Sequence, residues 1–203
     1  MGDIDITVIA ESPWLLPVLL LLVIGDAFVV VLPSETAVVA LGSISAATGS
    51  PTLVALIVVA AIGAIVGDSA CYLIGRAVGH DRWRWQREGR IATQLERVRS
   101  TVLRRPAVLV FTARYIPFAR IAVNLSAGAV GLPYRRYLPL SAAAGLGWAL
   151  YNVAVGAFFG TVLAAQPVLA VVVSVAVAVT LGVAIDFVAQ RVSRRRATPP
   201  PEG

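Results

Sequence analysis

Long apolar runs separated by short polar connections are the main pattern along this chain. Residues 13–25, 52–67 and 167–185 are almost wholly apolar. Runs near this length approach the roughly 20 residues that cross a hydrocarbon core. Longer hydrophilic sequence is confined to residues 77–105 and the two ends. The pattern predicts an all-α polytopic membrane protein with one membrane domain over residues 1–191.

Composition supports this class and excludes several others. Of the 203 residues 58% are hydrophobic and 14% charged, against about 25% charged in soluble domains. The single cysteine, Cys71, excludes an intrachain disulfide, and one histidine, His80, argues against a zinc site. We expect no metal, no cofactor and no enzymatic activity, because the sequence offers neither a nucleophile–base pair nor a set of metal ligands.

The arginines predict the topology. Fifteen of the 17 basic residues lie in three hydrophilic patches: nine from Arg76 to Arg105, then Arg135 and Arg136, and four from Arg191 to Arg196. The positive-inside rule places these patches in the cytoplasm. The acidic N-terminus and the connections at 49–51 and 166–167 contain no arginine, so we expect them outside. Residues 192–203 are predicted to form a disordered cytoplasmic tail.

This topology predicts two kinds of membrane element. Three full spans are expected at 52–76, 137–163 and 168–190. Residues 106–131 have cytoplasmic arginines on both sides, so they are predicted to form an inner re-entrant hairpin that turns at Pro117. Because the N-terminus and the connection at 49–51 are both expected outside, residues 13–48 are predicted to enter and leave the membrane on the outer side, as an outer hairpin broken at Pro33.

The two hairpins and the helices that follow them resemble a repeated unit. Gly75 and Gly79 recur 81 positions later as Gly156 and Gly160. Because the hairpins enter from opposite sides, the arrangement predicts an inverted repeat, as in secondary transporters. Small residues at this spacing also occur in packed membrane helices without any transport role.

Two motifs carry a resemblance to a known family. Residues 111–137, FTARYIPFARIAVNLSAGAVGLPYRRY, contain the spacing R-[FY]-x-P-x-x-R, and residues 67–76 fit G-D-x-x-x-Y-x-x-G-R. Over about residues 13–165 the chain resembles the DedA family, also called SNARE-associated or VTT-domain proteins. The resemblance implies two facing re-entrant hairpins, a multi-pass location in the bacterial inner membrane and lipid transport. The implied cargoes are undecaprenyl phosphate and phospholipids such as phosphatidylethanolamine.

Five charged residues lie within apolar sequence, namely Asp26, Glu35, Asp68, Arg114 and Arg120. At about 3 kcal/mol each, inserting them costs on the order of 15 kcal/mol, so they need partners or a wet cavity. Arg114, Arg120 and Asn124 are the candidate substrate-binding residues. Six positions along an unbroken helix would turn the two arginines about 240° apart, so we expect the break at Pro117 to let both face one phosphate headgroup.

The carboxylates are candidates for coupling to protons. Glu35, and less strongly Asp68, is predicted to exchange a proton and to pair with an arginine when no substrate is bound. Asp26 is placed nearer the outer interface and has no assigned role. The alternative is that Glu35 and Asp68 only neutralise Arg114 and Arg120 as structural ion pairs.

Residues 77–105 predict an amphipathic helix on the membrane surface. Apolar residues repeat at helical spacing, while Trp83 and Trp85 lie among Arg82 and Arg84. Such a helix suits an anionic lipid surface. A basic segment tethered between membrane elements is not expected to bind nucleic acid.

The chain is predicted to function as a lipid flippase or scramblase. Its expected partners are membrane lipids, with protons as a candidate second partner. The alternatives are a proton-coupled antiporter of small ions or osmolytes, and a scaffold without transport. The sequence leaves open which lipid is moved, whether transport is coupled, and whether the chain forms homo-oligomers.

The predicted topology can be tested with one engineered cysteine. A cysteine at Thr93, in a background in which Cys71 is replaced by serine, should be shielded from an impermeant thiol reagent added outside intact cells. The reagent should label it after the membrane is permeabilised. Labelling from outside would contradict the arginine-based orientation.

Overall fold

The described part of the chain is helical. The computed structural model describes residues 10, 12–29, 33–79, 100–114 and 117–162, together with residues 172, 173, 176, 177 and 180. Within these residues the main helices are α1 (Leu15–Asp26), α2 (Ser34–Thr48), α3 (Leu53–Val78), α4 (Pro106–Ala113), α5 (Pro117–Ala129) and α6 (Tyr134–Val162). The all-α prediction is confirmed for these residues.

Helix length separates two classes of element. α3 has 26 residues and α6 has 29, or about 39 and 44 Å at 1.5 Å per residue. Both are long and apolar enough to cross a membrane. α1, α2, α4 and α5 have 12, 15, 8 and 13 residues, so each is too short for a straight crossing.

Local sequence explains where several helices begin and end. The side chain of Thr52 caps α3 by accepting a hydrogen bond from the backbone N–H of Ala55. α5 is followed by Gly131, whose φ of 75° is left-handed. The N–H of Leu132 then bonds to the carbonyl of Ala127, and that of Gly131 to Gly128. This Schellman motif, with Leu132 buried, turns the chain into α6.

Contacts between helices give their relative directions. Val23 of α1 and Ala27, the residue after α1, meet Gly63 and Gly67 of α3 in the same order, so α1 and α3 run parallel. α5 also runs parallel to α3, because Arg120 and Asn124 bind Asp68 whereas Gly128 lies further along, against Tyr72 and Arg76. α2 runs parallel to α6, because Val39 and Ser43 lie against Gly156 and Gly160 in the same order. α6 runs antiparallel to α3, since Tyr137 contacts Asp68 whereas Gly145 contacts Ala61 and Ala64.

The closest helix contacts occur twice, at matching positions. On α3, Gly75 lies against Leu125 and Tyr72 lies against Gly128 of α5. On α6, Gly156 lies against Val39 and Val153 lies against Gly42 of α2. Each α3 residue is 81 positions before its α6 counterpart, and each α2 residue is 86 before its α5 counterpart. The second short helix of each half therefore packs on the long helix of the other half: α2 packs on α6, and α5 packs on α3.

Burial is reversed relative to a soluble protein. Val54, Val58, Ile62 and Val66 form an exposed apolar stripe along α3, whereas Asp68 and Arg114 are buried. Two apolar clusters flank Asp68, one around Leu56 and Val153 and the other around Tyr72 and Tyr137. Exposed apolar side chains over a buried charged centre are the arrangement expected in hydrocarbon.

Several sequence predictions fall outside the described residues. These are most of the surface segment 77–105, including Arg82, Trp83, Arg84 and Trp85, and most of the span 168–190.

A matched pair of glycine substitutions on α6 tests the repeated contact. A Cβ on Gly156 would clash with the carbonyl oxygen of Val39, whereas one on Gly147 meets nothing within 4 Å. Gly156→Ala should therefore destabilise the protein by about 1–3 kcal/mol through overpacking. Gly147→Ala should be neutral or slightly stabilising. Thermal unfolding in detergent measures both, and equal effects would contradict the packing described.

Candidate functional site

The centre of the site is the carboxylate of Asp68, just beyond the middle of α3. Oδ2 accepts hydrogen bonds from Arg114 Nη1 at 2.8 Å and Ser141 Oγ at 3.2 Å. Oδ1 accepts from Arg120 Nε at 2.8 Å and Asn124 Nδ2 at 2.9 Å. The Asp68 side chain is 3% exposed, so four donors replace the water that this carboxylate would need.

The helix break between α4 and α5 brings the two arginines together. α4 ends at Ala113 and α5 begins at Pro117, so Arg114 follows one helix and Arg120 lies in the first turn of the next. Both guanidinium groups reach Asp68, which an unbroken helix would prevent. The structure therefore brings together all three candidate substrate-binding residues, since Asn124 is one turn beyond Arg120.

Arg120 joins two carboxylates. Its Nε binds Asp68, and its Nη1 binds Asp26 Oδ2 at 2.9 Å. The Asp26 side chain is 15% exposed. Asp26 reaches this position because α1 ends there and Ala27, the next residue, packs on Gly67, one residue before Asp68.

Glu35 and Arg114 meet through Trp148 of α6. The indole Nε1 donates to Glu35 Oε1 at 3.2 Å. The guanidinium carbon of Arg114 lies 5.2 Å from the centroid of the same ring, within the range of a cation–π contact. Glu35, in the first turn of α2, is therefore connected to the arginines through an uncharged aromatic ring.

Three buried guanidinium nitrogens have no hydrogen-bond partner among the described residues. They are Nε and Nη2 of Arg114 and Nη2 of Arg120. The two atoms on Arg114 form one edge of the guanidinium group, with N–H bonds that point the same way. Buried donors without acceptors cost free energy, so the site has unused capacity for an anion with several oxygens.

The structure corrects the expected pairing of the carboxylates. Glu35 was expected to pair with an arginine in the absence of substrate, but the hydrogen bond found for it comes from Trp148. Asp68 instead binds both arginines. Asp26, expected near the outer interface from the sequence, contacts Arg120 because it lies at the C-terminal end of α1, about 18 Å along the helix from its start.

Sequence reasoning missed two neutral contributors. Ser141 binds the Asp68 carboxylate, and the hydroxyl of Tyr137 donates to the Asp68 carbonyl at 3.0 Å. They lie four residues apart on one face of α6, opposite Asp68. That spacing was the available signal, but serine and tyrosine at this spacing are common in packed helices. His80 and the residues assigned to the membrane surface lie outside the described part.

Comparisons with known proteins identify a family. The family model of the VTT domain matches residues 32–158, which contain α2 to α5 and most of α6. The chain is 28% identical over 146 residues to the uncharacterized membrane protein slr0232 of Synechocystis sp., covering 68% of this chain and 64% of that protein. It is 29% identical over 124 residues to inner membrane protein YohD of Escherichia coli.

The coverage of these relatives is partial. The match to YohD takes in 61% of this chain and 64% of YohD, so the chain spans less than two thirds of the length of either curated relative. No solved structure matches at a significant level.

Replacing Asp68 and Asp26 one at a time tests which carboxylate holds the site together. Asp68→Asn keeps the shape but removes the countercharge of two arginines, and it should cost about 3–5 kcal/mol of stability. Asp26→Asn should cost clearly less, because Asp26 contacts one arginine and is more exposed. Denaturant unfolding in detergent measures both variants. A larger loss for Asp26→Asn would contradict the central position of Asp68.

Proposed function

Because the chain belongs to the VTT-domain (DedA) family of membrane proteins, we propose that it moves a phosphate-headgroup lipid across the membrane and binds that headgroup at Arg114 and Arg120. The observation that carries the proposal is the unpartnered guanidinium edge of Arg114, buried among apolar helices. Asp68 occupies only Nη1 of Arg114, so this edge can still bind the oxygens of a second anion, and the mobile anions of a bilayer are lipid headgroups.

The geometry of the two arginines favours phosphate. The Nε and Nη2 atoms of Arg114 offer two parallel donors that match two oxygens of a phosphate group. Nη2 of Arg120 supplies a third donor, and α5 begins three residues before it. Free N–H groups in the first turn of a helix also favour an anion.

The arginines differ in how firmly they are held. Arg120 uses Nε and Nη1 to bind two carboxylates, whereas Arg114 uses only Nη1. Arg114 is thus the main headgroup ligand, and Arg120 mainly fixes the position of Asp68. Asn124, which donates to the same Oδ1 as Arg120, keeps that carboxylate oriented.

The fold suggests how the headgroup reaches both sides. The repeated contacts of α2 with α6 and of α5 with α3, with the short helices in opposite directions, support an inverted repeat of two re-entrant hairpins. In such repeats the binding site lies near the midplane and opens alternately to either face. The predicted orientation, with a cytoplasmic C-terminus in the bacterial inner membrane, gives the outer hairpin access from outside.

Proton coupling is assigned to Glu35 in preference to Asp68. Asp68 accepts four hydrogen bonds, so a proton on it would displace at least one donor. The hydrogen bond found for Glu35 comes from one indole, which can donate to a protonated carboxyl oxygen as well. Undecaprenyl phosphate and phosphatidylethanolamine share the phosphate ester that suits this site, and transport assays with each lipid separately distinguish them.

Reconstitution in liposomes tests the proposal with Arg114→Lys. Wild-type protein should translocate fluorescent phosphatidylethanolamine, a polyprenyl phosphate, or both. Arg114→Lys should reduce the rate at least about tenfold, since an ammonium group cannot replace two parallel charge-assisted bonds. Arg136→Lys, at an exposed arginine near the start of α6, is the matched control and should keep the wild-type rate. Full translocation of both lipids by Arg114→Lys would refute the assignment.

A further inference from the structure

Trp148 lies between two charges from different helices. Its N–H donates to Glu35 of α2, and its ring face lies against Arg114 at the end of α4. Trp148 is 4% exposed and belongs to the apolar cluster around Leu56 and Val153. A buried tryptophan needs a partner for its N–H, but most such partners are neutral backbone or side-chain oxygens.

The two contacts of the indole depend on each other. Donation to a charged carboxylate increases the electron density of the ring, and a richer ring attracts a cation more strongly. When Glu35 gains a proton, its carboxyl group is no longer charged, so the hydrogen bond from the indole N–H becomes weaker and fixes the ring less firmly. The cation–π contact between Trp148 and Arg114 should weaken at the same time.

We propose that Trp148 is a positioning residue that makes the phosphate affinity of Arg114 depend on the protonation of Glu35. This inference rests on the proposed function of Arg114. With Glu35 charged, the ring keeps the guanidinium group against α6. With Glu35 protonated, the unpartnered Nε/Nη2 edge is freer to turn toward a headgroup. Only a proton from water is taken up, and no other bond is made or broken in the protein.

Other charged groups face Glu35 and contribute to any response to pH. Asp26 of α1 is close enough for its charge to interact with that of Glu35. Arg120 of α5 binds Asp26, and Asp68 of α3 binds both arginines. On α6, Tyr151 is three residues after Trp148. Trp148 itself does not titrate, so replacing it leaves every titratable group in place.

The test compares Trp148→Phe with wild type in the binding of didodecyl phosphate to the full chain in detergent. This phosphodiester keeps one negative charge from acidic to neutral pH. Wild type should bind it more tightly at acidic pH, by about tenfold, the scale of a buried cation–π contact. Trp148→Phe keeps an aromatic ring but removes the N–H, so the ratio of the two affinities should fall clearly below that of wild type. Trp14→Phe, at a tryptophan that is 72% exposed, should keep the wild-type ratio.

The possible results separate this inference from the proposed function. If wild type does not bind didodecyl phosphate, or if Arg114→Lys binds it equally well, the proposed function fails. If Arg114→Lys loses binding but Trp148→Phe keeps the wild-type ratio, only the role of Trp148 is refuted.

Fluorescence provides a second measurement that keeps the indole in place. In a variant whose other three tryptophans are changed to phenylalanine, the emission of Trp148 should differ between neutral and acidic pH. Adding Glu35→Gln should abolish that change. An emission curve unaltered by Glu35→Gln would overturn the inference even if Trp148→Phe does not fold.

Discussion

The charge of Asp68 in an apolar interior is the constraint on which the rest of the structure depends. An isolated carboxylate in hydrocarbon costs several kcal/mol, and so does each guanidinium group. Their mutual contacts reduce both costs, but only if groups from α4, α5 and α6 converge on one side chain of α3. The helix break before Pro117 and the tight turn at Gly131 are the local features that make this convergence possible.

Close helix packing supplies the second requirement. Donors reach Asp68 at hydrogen-bond distance because α5 lies on α3 with Gly75 and Gly128 at the contact. A side chain at either position would push α5 away from α3 and lengthen the bonds from Arg120 and Asn124 to the carboxylate. Glycine pairs in membrane helices are usually explained by helix association alone. Here the same glycines also set the distance between Asp68 and its donors.

The sequence predicted those parts of the site that follow from the free-energy cost of placing a charge in an apolar environment. Charged residues in apolar sequence must find partners, so Asp68, Arg114 and Arg120 were identifiable without coordinates. The break at Pro117 predicted that both arginines face one phosphate headgroup, and in the structure both contact the carboxylate of Asp68. The sequence did not predict which carboxylate pairs with which arginine, because this pairing depends on the rotation of α1 and α2 about their axes. For that reason Asp26 was underestimated and Glu35 was paired with the wrong residue.

The net charge of the network connects the proposed binding of a headgroup to the uptake of a proton. Asp26, Glu35 and Asp68 face two arginines, so with all five charged the network has one excess negative charge. A phosphodiester headgroup would add a second. At low dielectric two uncompensated charges a few ångströms apart repel strongly, so binding favours uptake of a proton by a carboxylate of the network. By linkage, a proton must favour headgroup binding to the same extent. A transporter built on this network therefore needs no distant relay, since substrate and proton bind within one set of contacts.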